Sequence, residues 1–154
     1  MEKLDRFSPE ALGVLRIITA LLFLAHPAMT LFHFPTPNPF AAGGLSPLLL
    51  AAAFIELIGG ILIAGGIFTR LVAFICSGEM AVAYFLVHAP RSFWPILNYG
   101  EPAIFFSIIF LYLAFAGPGK FAIRPASVWK SLQRAKNKKN KGSLVANPAD
   151  SDSR

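Results

Sequence analysis

Charged side chains are scarce through most of this sequence. They make up 14% of its 154 residues, against roughly 25% in a typical soluble domain. Between Arg16 and Arg70 the only charged residue is Glu56. The net charge of +6 arises in the C-terminal part, where nine Lys or Arg and two Asp follow from Lys120 onward. An apolar body next to a basic end is typical of membrane orientation, so we expect a membrane protein that does not bind nucleic acid.

Cysteine is almost absent as well. Cys76 is the only one, which excludes an internal disulfide, a CxxC redox pair, a cysteine-rich zinc site and a cysteine-bound iron–sulfur cluster within this chain. Cys76 lies in an apolar run, where a free cysteine usually serves as a small core residue. We therefore expect no metal site.

Four long apolar segments take up most of the chain, at about 11–32, 47–68, 71–89 and 102–116. The first is longer than the ~7–15-residue apolar region of a signal peptide and suits a spanning helix of ~20 residues, so we expect it to be retained. All four are apolar around the full circumference, unlike the helices of a soluble bundle. Their length, and the lack of strict alternation, favour helices over a barrel. The sequence thus predicts an all-α, integral membrane four-helix bundle.

The fourth segment is short for a span. Its 15 residues would form about 23 Å of helix, less than the ~30 Å hydrocarbon core. Either the helix begins before Glu101, or Phe93, Trp94 and Tyr99 form an interfacial aromatic belt where the bilayer thins.

The distribution of Lys and Arg predicts the direction of the spans. Lys3, Arg6 and Arg16 precede or enter the first span, Arg70 lies between the second and third, and nine basic residues follow the fourth. The first connection has none and the third has Arg91 alone. Both termini are therefore expected in the cytoplasm of a bacterial inner membrane.

The chain divides by composition into two parts. Residues 1–125 form the predicted four-span membrane domain. Residues 126–154 turn to Lys, Asn, Ser and Asp, which predicts a basic, disordered cytoplasmic tail.

A series of short motifs punctuates the spans. In order they are Leu15-Arg16, Glu56-Leu57-Ile58-Gly59-Gly60, Gly65-Gly66-Ile67-Phe68-Thr69-Arg70, Ala73, Met80, Ala83, His88, Phe93-Trp94, Asn98-Tyr99-Gly100-Glu101 and Gly117-Pro118-Gly119-Lys120-Phe121. Their order and spacing over roughly residues 11–124 resemble the DoxX family of small four-helix bacterial membrane proteins.

The resemblance implies more about fold than about chemistry. Members of the family are similar to the membrane subunit of thiosulfate:quinone oxidoreductases, and some are linked to membrane oxidoreductase complexes that handle thiol or oxidative stress. For this chain it implies an accessory membrane subunit, with a soluble or membrane-bound oxidoreductase as partner and a quinone as the candidate cofactor.

Three acids lie in or at the spans. An ionisable group inside a membrane costs about 2.5–3.5 kcal/mol on insertion scales and usually faces the bundle interior. Glu56 shares a face with small residues, which permits close helix packing. Glu79 is similarly deep in the third span, and the tight turn between the two spans allows the two carboxyls to pair. Glu56 is either a structural acid, neutral or paired with Arg16 or a histidine, or it carries a proton or binds a polar headgroup. For Glu79, proton handling and a structural hydrogen bond are the alternatives. Glu101, before a proline, can cap the fourth helix.

The first span carries a polar stripe on one face. Its members are Arg16, Thr19, Phe23, His26, Thr30 and His33. A stripe of this kind points to the bundle interior, and Pro27 should bend the helix near Phe23. Arg16 either extends to the lipid headgroups, the favoured alternative, or pairs with an acid.

His26 and His88 both lie toward the outer side. Together with Trp94, Tyr99 and Glu101 they are expected to line a wet, outward-opening pocket. Its aromatic rings could hold a quinone or simply anchor the interface. Two histidines are also the minimal ligand set of a b-type haem, without any further haem signature in the sequence. The candidate functional residues are Glu56, Glu79, Glu101, His26, His88, Arg16 and Arg70, with Trp94 and Tyr99 in the pocket.

Two other functions remain open at this level. One is a small transporter or carrier of protons, lipids or apolar metabolites, for which a homo-oligomer would form the path. The other is a membrane scaffold that recruits a soluble partner through the basic tail. The chain has no nucleotide-binding loop, no cysteine pair and no metal cluster motif, so a non-catalytic or accessory subunit is favoured over a complete redox enzyme.

Overall fold

The computed structural model describes residues 2–123 together with residues 130, 134 and 137. Throughout these residues the secondary structure is helical, without strands, as the sequence predicts. The α-helices are α1 Glu2–Asp5, α2 Ser8–Phe23, α3 Ala25–Phe32, α4 Pro47–Gly65, α5 Thr69–Ala83, α6 Pro95–Asn98 and α7 Glu101–Ala116. A 3₁₀ turn at Pro39–Ala41 and a π-helical stretch at Tyr84–His88 complete the described elements.

The chain separates into two units, residues 1–123 and residues 124–154. The first contains all the elements named above. In the second, the described residues Lys130, Arg134 and Asn137 have a helical backbone and are exposed. The rest of the predicted basic tail lies outside the described residues.

The first span consists of two consecutive helical segments. It runs as α2 and α3 and is interrupted at Leu24. Pro27 has no N–H with which to bond the Phe23 carbonyl, so the ladder of a continuous helix is broken at this point. The helix is thus interrupted where the sequence predicts a bend, and the bend itself stays a prediction.

The polar stripe of this span faces the interior except at its end. Arg16, Thr19 and Thr30 are buried and His26 is half-buried. His33 is exposed, because it caps α3 in the left-handed conformation with φ 55°. The predicted stripe therefore extends from Arg16 to Thr30, and His33 does not belong to it.

Three of the helical stretches are long and apolar enough to cross a membrane: Ser8–Phe32, Pro47–Gly65 and Thr69–His88. The apolar helix α7 has 16 residues, which correspond to about 24 Å. It begins at Glu101, because Tyr99 adopts φ 58° and separates it from the single turn of α6. An earlier start of this helix is thus wrong, and the alternative of an aromatic belt stays a prediction.

Local sequence explains both the start of α4 and the tight turn that joins its end to α5. The Ser46 hydroxyl accepts a hydrogen bond from the Leu49 N–H at 3.2 Å, and Pro47 occupies the first turn, where its missing N–H costs nothing. Gly66 ends the helix with φ 74°, a conformation that glycine adopts without strain. Phe68, with φ 49°, starts α5 directly afterwards.

Small residues bring the helices into close contact. A Cβ atom at Gly59 would overlap the Sγ of Cys76 on α5, and one at Gly60 would lie 2.7 Å from Leu24 Cγ. The helices α5 and α7 are joined by a reciprocal pair of serines. Ser77 Oγ donates to the Ser107 carbonyl at 2.8 Å, and Ser107 Oγ donates to the Ser77 carbonyl at 3.0 Å. Such interhelical bonds are a common means of association inside membranes.

Large apolar side chains cover the outside of this unit. Ile58, Phe74 and Ile108, one from each of α4, α5 and α7, are 57–60% exposed. A continuous apolar surface of this kind would promote aggregation in water, whereas lipid chains solvate it. The fold is that of a membrane protein.

We expect Gly59→Ala to lower the free energy of unfolding by about 1–3 kcal/mol, because the added methyl overpacks the contact with Cys76. Gly78→Ala is the matched control on α5, where an added Cβ has no neighbour within 4 Å. Unfolding by SDS in mixed micelles measures both variants. Cys76→Ala in the Gly59→Ala background removes the overlapping sulfur and should restore most of the loss; equal stability of the two single variants would contradict this packing.

Candidate functional site

Glu56 and Glu79 lie at the same level on neighbouring antiparallel helices. Gly59 of α4 faces Cys76 of α5. Moving three residues from this contact toward the same end of the bundle leads to Glu56 on one helix and to Glu79 on the other. The two carboxyls are close enough for their charges to interact, and both are close enough for their charges to act on the Cys76 thiol.

These two carboxyls have no hydrogen-bond partner among the described residues. Glu56 is only 8% exposed. Glu79 is half-buried, and its Oε2 atom is fully buried without a partner. A buried polar group in this state usually has a role other than packing, or binds a solvent molecule or ion.

Arg16 is fully buried and binds backbone carbonyls. Its Nε donates to the Pro118 carbonyl at 2.8 Å, and its Nη1 donates to the Ile63 carbonyl at 2.6 Å and to that of Ala64. Its Nη2 donates to the Lys120 carbonyl at 3.2 Å. Both alternatives predicted for Arg16 are therefore wrong. The guanidinium neither reaches the lipid headgroups nor pairs with an acid, because the carbonyls at the end of α4 and after α7 already satisfy it.

The segment after α7 is bound tightly across this end of the bundle. The Lys120 N–H donates to the Pro9 carbonyl at 2.8 Å, and the Ile123 N–H donates to the Gly65 carbonyl at 2.8 Å. The Lys120 ammonium also forms an ion pair with Glu10. We call this end, which contains Arg16, Arg70 and Lys120, the basic end.

Arg70 provides hydrogen bonds to carbonyls in the last turn of α7. Its Nη1 donates to the Ala114 carbonyl at 3.1 Å and to the Phe115 carbonyl at 2.5 Å. The side chain is otherwise exposed. Arg70 thus caps a helix C-terminus, where a cation also interacts favourably with the helix dipole.

His88 lies at the opposite end, which we call the histidine end. It closes the π-helical stretch, and its Nδ1 is 2.9 Å from the Asn98 carbonyl. A carbonyl can only accept, so Nδ1 carries the hydrogen and Nε2 is left for other contacts. The imidazole stacks on Tyr84 at 6.5 Å and meets the edge of Phe40 at 5.2 Å between ring centroids.

Asn98 organises this end and was missed among the candidate residues. It is fully buried, donates through Nδ2 to the Ser92 carbonyl at 2.8 Å and accepts from the Gly100 N–H at 2.8 Å. The available signal was the asparagine shortly before a glycine, which is typical of turns built on an Asn side chain.

His26 lies deeper in the bundle, on α3, where its ring is directed toward α7. Its ring meets Phe106 edge-on at 5.5 Å between centroids, and it is close enough to His88 for their charges to interact. The contact of Gly60 with Leu24 sets the register of α3 against α4. It places His26 within about one helical turn of the level of Glu56.

The predicted pocket of His26, His88, Trp94, Tyr99 and Glu101 is not assembled in this structure. Trp94 and Tyr99 are 62% and 74% exposed, and the rings that contact His88 are Phe40 and Tyr84 instead. The left-handed conformation of Tyr99 follows the turn that Asn98 forms.

The predicted capping role of Glu101 is only partly correct. Glu101 occupies the first turn of α7, and no side chain caps this helix by a hydrogen bond. Its charge is placed favourably toward the helix dipole.

We expect Arg16→Met to lower the free energy of unfolding by at least about 2 kcal/mol, because several buried carbonyls lose their donor. Arg16→Lys should recover part of the loss, since an ammonium keeps the charge but not the planar fork. Arg91→Met is the control, because Arg91 is exposed and stacks on Phe40. SDS unfolding and the amount of inserted protein are the measurements; a stable Arg16→Met variant would contradict the proposed contribution of these bonds.

Comparison with known proteins agrees with the fold and the motifs. An uncharacterised protein of Haemophilus influenzae is 41% identical over 127 residues, which cover 80% of this chain and 95% of that relative. No solved structure matches the chain. The DoxX family model matches residues 11–89, from α2 to the end of the π-helical stretch, and so includes Glu56, Glu79 and all three histidines. This match and the similarity to the relative show that the chain belongs to the DoxX family.

Proposed function

We propose that this protein is an accessory membrane subunit of a bacterial oxidoreductase system, and that its Glu56–Glu79 pair stores a proton for the chemistry of that system. The redox context follows from the family resemblance. The proton-storing role rests on the structure of the site.

The observation that carries the proposal is that two carboxyls lie at one level of neighbouring helices, neither of them with a hydrogen-bond partner among the described residues. Glu56 and Glu79 lie at the same level of α4 and α5, where their charges interact, and Glu79 Oε2 is buried without a hydrogen bond. Two ionised carboxylates at this spacing would repel each other in apolar surroundings, and one retained proton removes that repulsion. A pair that shares a proton can also release it to a nearby acceptor.

A quinone would supply the acceptor chemistry, since its reduction to a quinol takes up two electrons and two protons. The residues suited to its ring are at the histidine end. The Nε2 of neutral His88 can accept a hydrogen bond from a hydroxyl of the quinol, while Phe40 and Tyr84 present flat apolar faces and edges next to it. Trp94 and Tyr99, the rings first considered for this purpose, lie outside this cluster.

A carrier of lipids or apolar metabolites is the second candidate, and one feature favours it. An open groove of about 290 Å³ runs between the π-helical stretch and α7. Its lining is almost entirely apolar and consists of Ala81, Tyr84, Phe85, Ile104, Ser107 and Ile108. A groove of this shape suits a single acyl or isoprenoid chain.

The proposed orientation places both termini and the basic end in the cytoplasm and the histidine end on the outer side of the inner membrane. It is supported by the concentration of basic residues near Arg16, Arg70 and the C-terminus.

Cysteine labelling tests this orientation. Because Cys76 is buried, it should react little with a membrane-impermeant maleimide. We expect Thr36→Cys, in the first connection, to be labelled in intact cells with a permeable outer membrane, and Ser151→Cys to be labelled only after lysis. Labelling in the reverse order would overturn the orientation.

Purification from native membranes in mild detergent tests the subunit role. We expect an oxidoreductase to co-purify in stoichiometric amount and to be identified by mass spectrometry. A self-associated protein that binds lipid but no redox enzyme would favour the carrier instead.

Neutral substitutions of the carboxyls test their role in proton storage. Glu56→Gln and Glu79→Gln keep the size of the side chain but cannot exchange a proton. We expect the turnover of the purified complex to fall at least about tenfold, in line with the loss of a general acid, while insertion and co-purification are retained. Glu101→Gln, at an exposed position, is the matched control. Unchanged turnover in both variants would refute the proton role, and loss of the inserted protein would indicate a structural one.

A further inference from the structure

The geometry points to one-sided proton access: the Glu56–Glu79 pair exchanges protons with the histidine end through His88 and His26, and is closed toward the basic end by Arg16. This inference rests on the proposed function of the pair and adds the direction and the residues of the route.

The basic end is closed by protein and by charge. The Arg16 guanidinium is fully buried and bonded to carbonyls of α4 and of the segment after α7. A Cβ atom at Gly119 would lie 2.6 Å from Gly13 N, and one at Gly66 would lie 2.6 Å from Ala122 Cβ. No side chain could be added at these points without displacing the backbone or its neighbours. A fixed positive charge in such a constriction also repels protons, as in pores that exclude cations.

The histidine end, in contrast, offers groups that can pass a proton. His88 is half-buried and can accept a proton at Nε2 while Nδ1–H stays bonded to the Asn98 carbonyl. Releasing a proton from the imidazolium to the next acceptor returns the ring to its neutral form. His26 is the next titratable group inward, within interaction range of His88 and within about one turn of the level of Glu56.

Each helix around the pair could place a charged group near it. Apart from Glu10 in the ion pair at the basic end, the buried or half-buried titratable groups of these elements are Arg16 on α2, His26 on α3, Glu56 on α4, Cys76 and Glu79 on α5, and Tyr84 and His88 on the π-helical stretch. From α7, Phe106 and Ser107 face this region, and its Glu101 and Tyr112 are exposed. A basic residue near the carboxyls would neutralise them permanently. None of the described residues around the pair has this role, because the Arg16 guanidinium binds backbone carbonyls at the basic end.

Hydrogen-bonded polar groups also line the outer half of α3. Thr30 Oγ1 donates to the His26 carbonyl at 3.0 Å and accepts from Asn38 Nδ2 at 2.7 Å. This connects the level of His26 to the loop at the histidine end. Water molecules at these groups would complete the transfer between the two imidazoles and the carboxyls.

Labelling with dicyclohexylcarbodiimide tests the access directly and requires no partner enzyme. This apolar reagent reaches carboxyls from the lipid and adds to the protonated form, so the mass of the intact protein reports protonation of the pair. The native protein is labelled in right-side-out and in inverted membrane vesicles, with the pH changed on one side at a time. Thr36→Cys and Ser151→Cys establish which end of the bundle faces the medium.

We expect labelling of the pair to follow the pH at the histidine end. Raising that pH by about three units should lower labelling at least about threefold, since one unit changes the protonated fraction up to tenfold. The same change at the basic end should leave labelling nearly constant. Labelling that follows the basic end, or both ends equally, would overturn the inference while the proton-storing pair stands. No labelling of Glu56 or Glu79 at any pH would instead refute the proposed function itself.

Histidine variants test the route. His26→Asn and His88→Asn should each slow the response to a pH jump at the histidine end at least about tenfold, because a proton relay group is lost. His33→Asn is the matched control, since His33 is exposed at the end of α3. Unchanged rates in both variants, with normal insertion, would exclude the two histidines from the route.

Discussion

Lipid offers no hydrogen bonds, so the carbonyls at the end of a spanning helix must find donors within the protein or at the interface. Here two arginines meet that requirement. Arg16 binds the last carbonyls of α4 and the segment after α7, and Arg70 binds those of α7. The close approach of chain at Gly13 and Gly119 follows from this, because the segment after α7 must pass directly over α2 to reach the guanidinium.

The polar groups at the ends of the bundle differ in their hydrogen bonding from those in its middle. At the two ends most of them form hydrogen bonds, through Arg16 and Arg70 on one side and Asn98 on the other, although Thr69 Oγ1 at the basic end is buried without a partner. In the middle, Glu56 and Glu79 are left without partners. Since the chain forms bonds elsewhere with few exceptions, the unsatisfied pair is better explained by a function than by poor packing.

The sequence was sufficient for the helices and for the common level of the two acids, whose pairing stays a prediction, and it failed where distant segments meet. Apolar length located the spans, and the tight turn at Gly66 allowed Glu56 and Glu79 to be paired. Arg16 was misjudged because its partners are backbone carbonyls from residues more than 40 positions away, which no local pattern reveals. Trp94 and Tyr99 were misplaced because a single asparagine, Asn98, dictates the backbone that presents them.

The π-helical stretch determines where the residues after it lie around the helix axis. The Ala89 N–H bonds to the Tyr84 carbonyl at 2.9 Å, five residues back, so this turn accommodates one residue more than an α-helical turn. Removing any one residue between Phe85 and Val87 would allow an ordinary turn to form. The residues downstream would then keep nearly the same position around the helix axis, because the wide turn already absorbs the extra residue. The alignment of His88 with the Asn98 carbonyl thus depends on the type of turn: an α-helical turn of the same residue count would rotate His88 by about 100° around the axis, whereas a turn shortened by one residue would preserve the alignment.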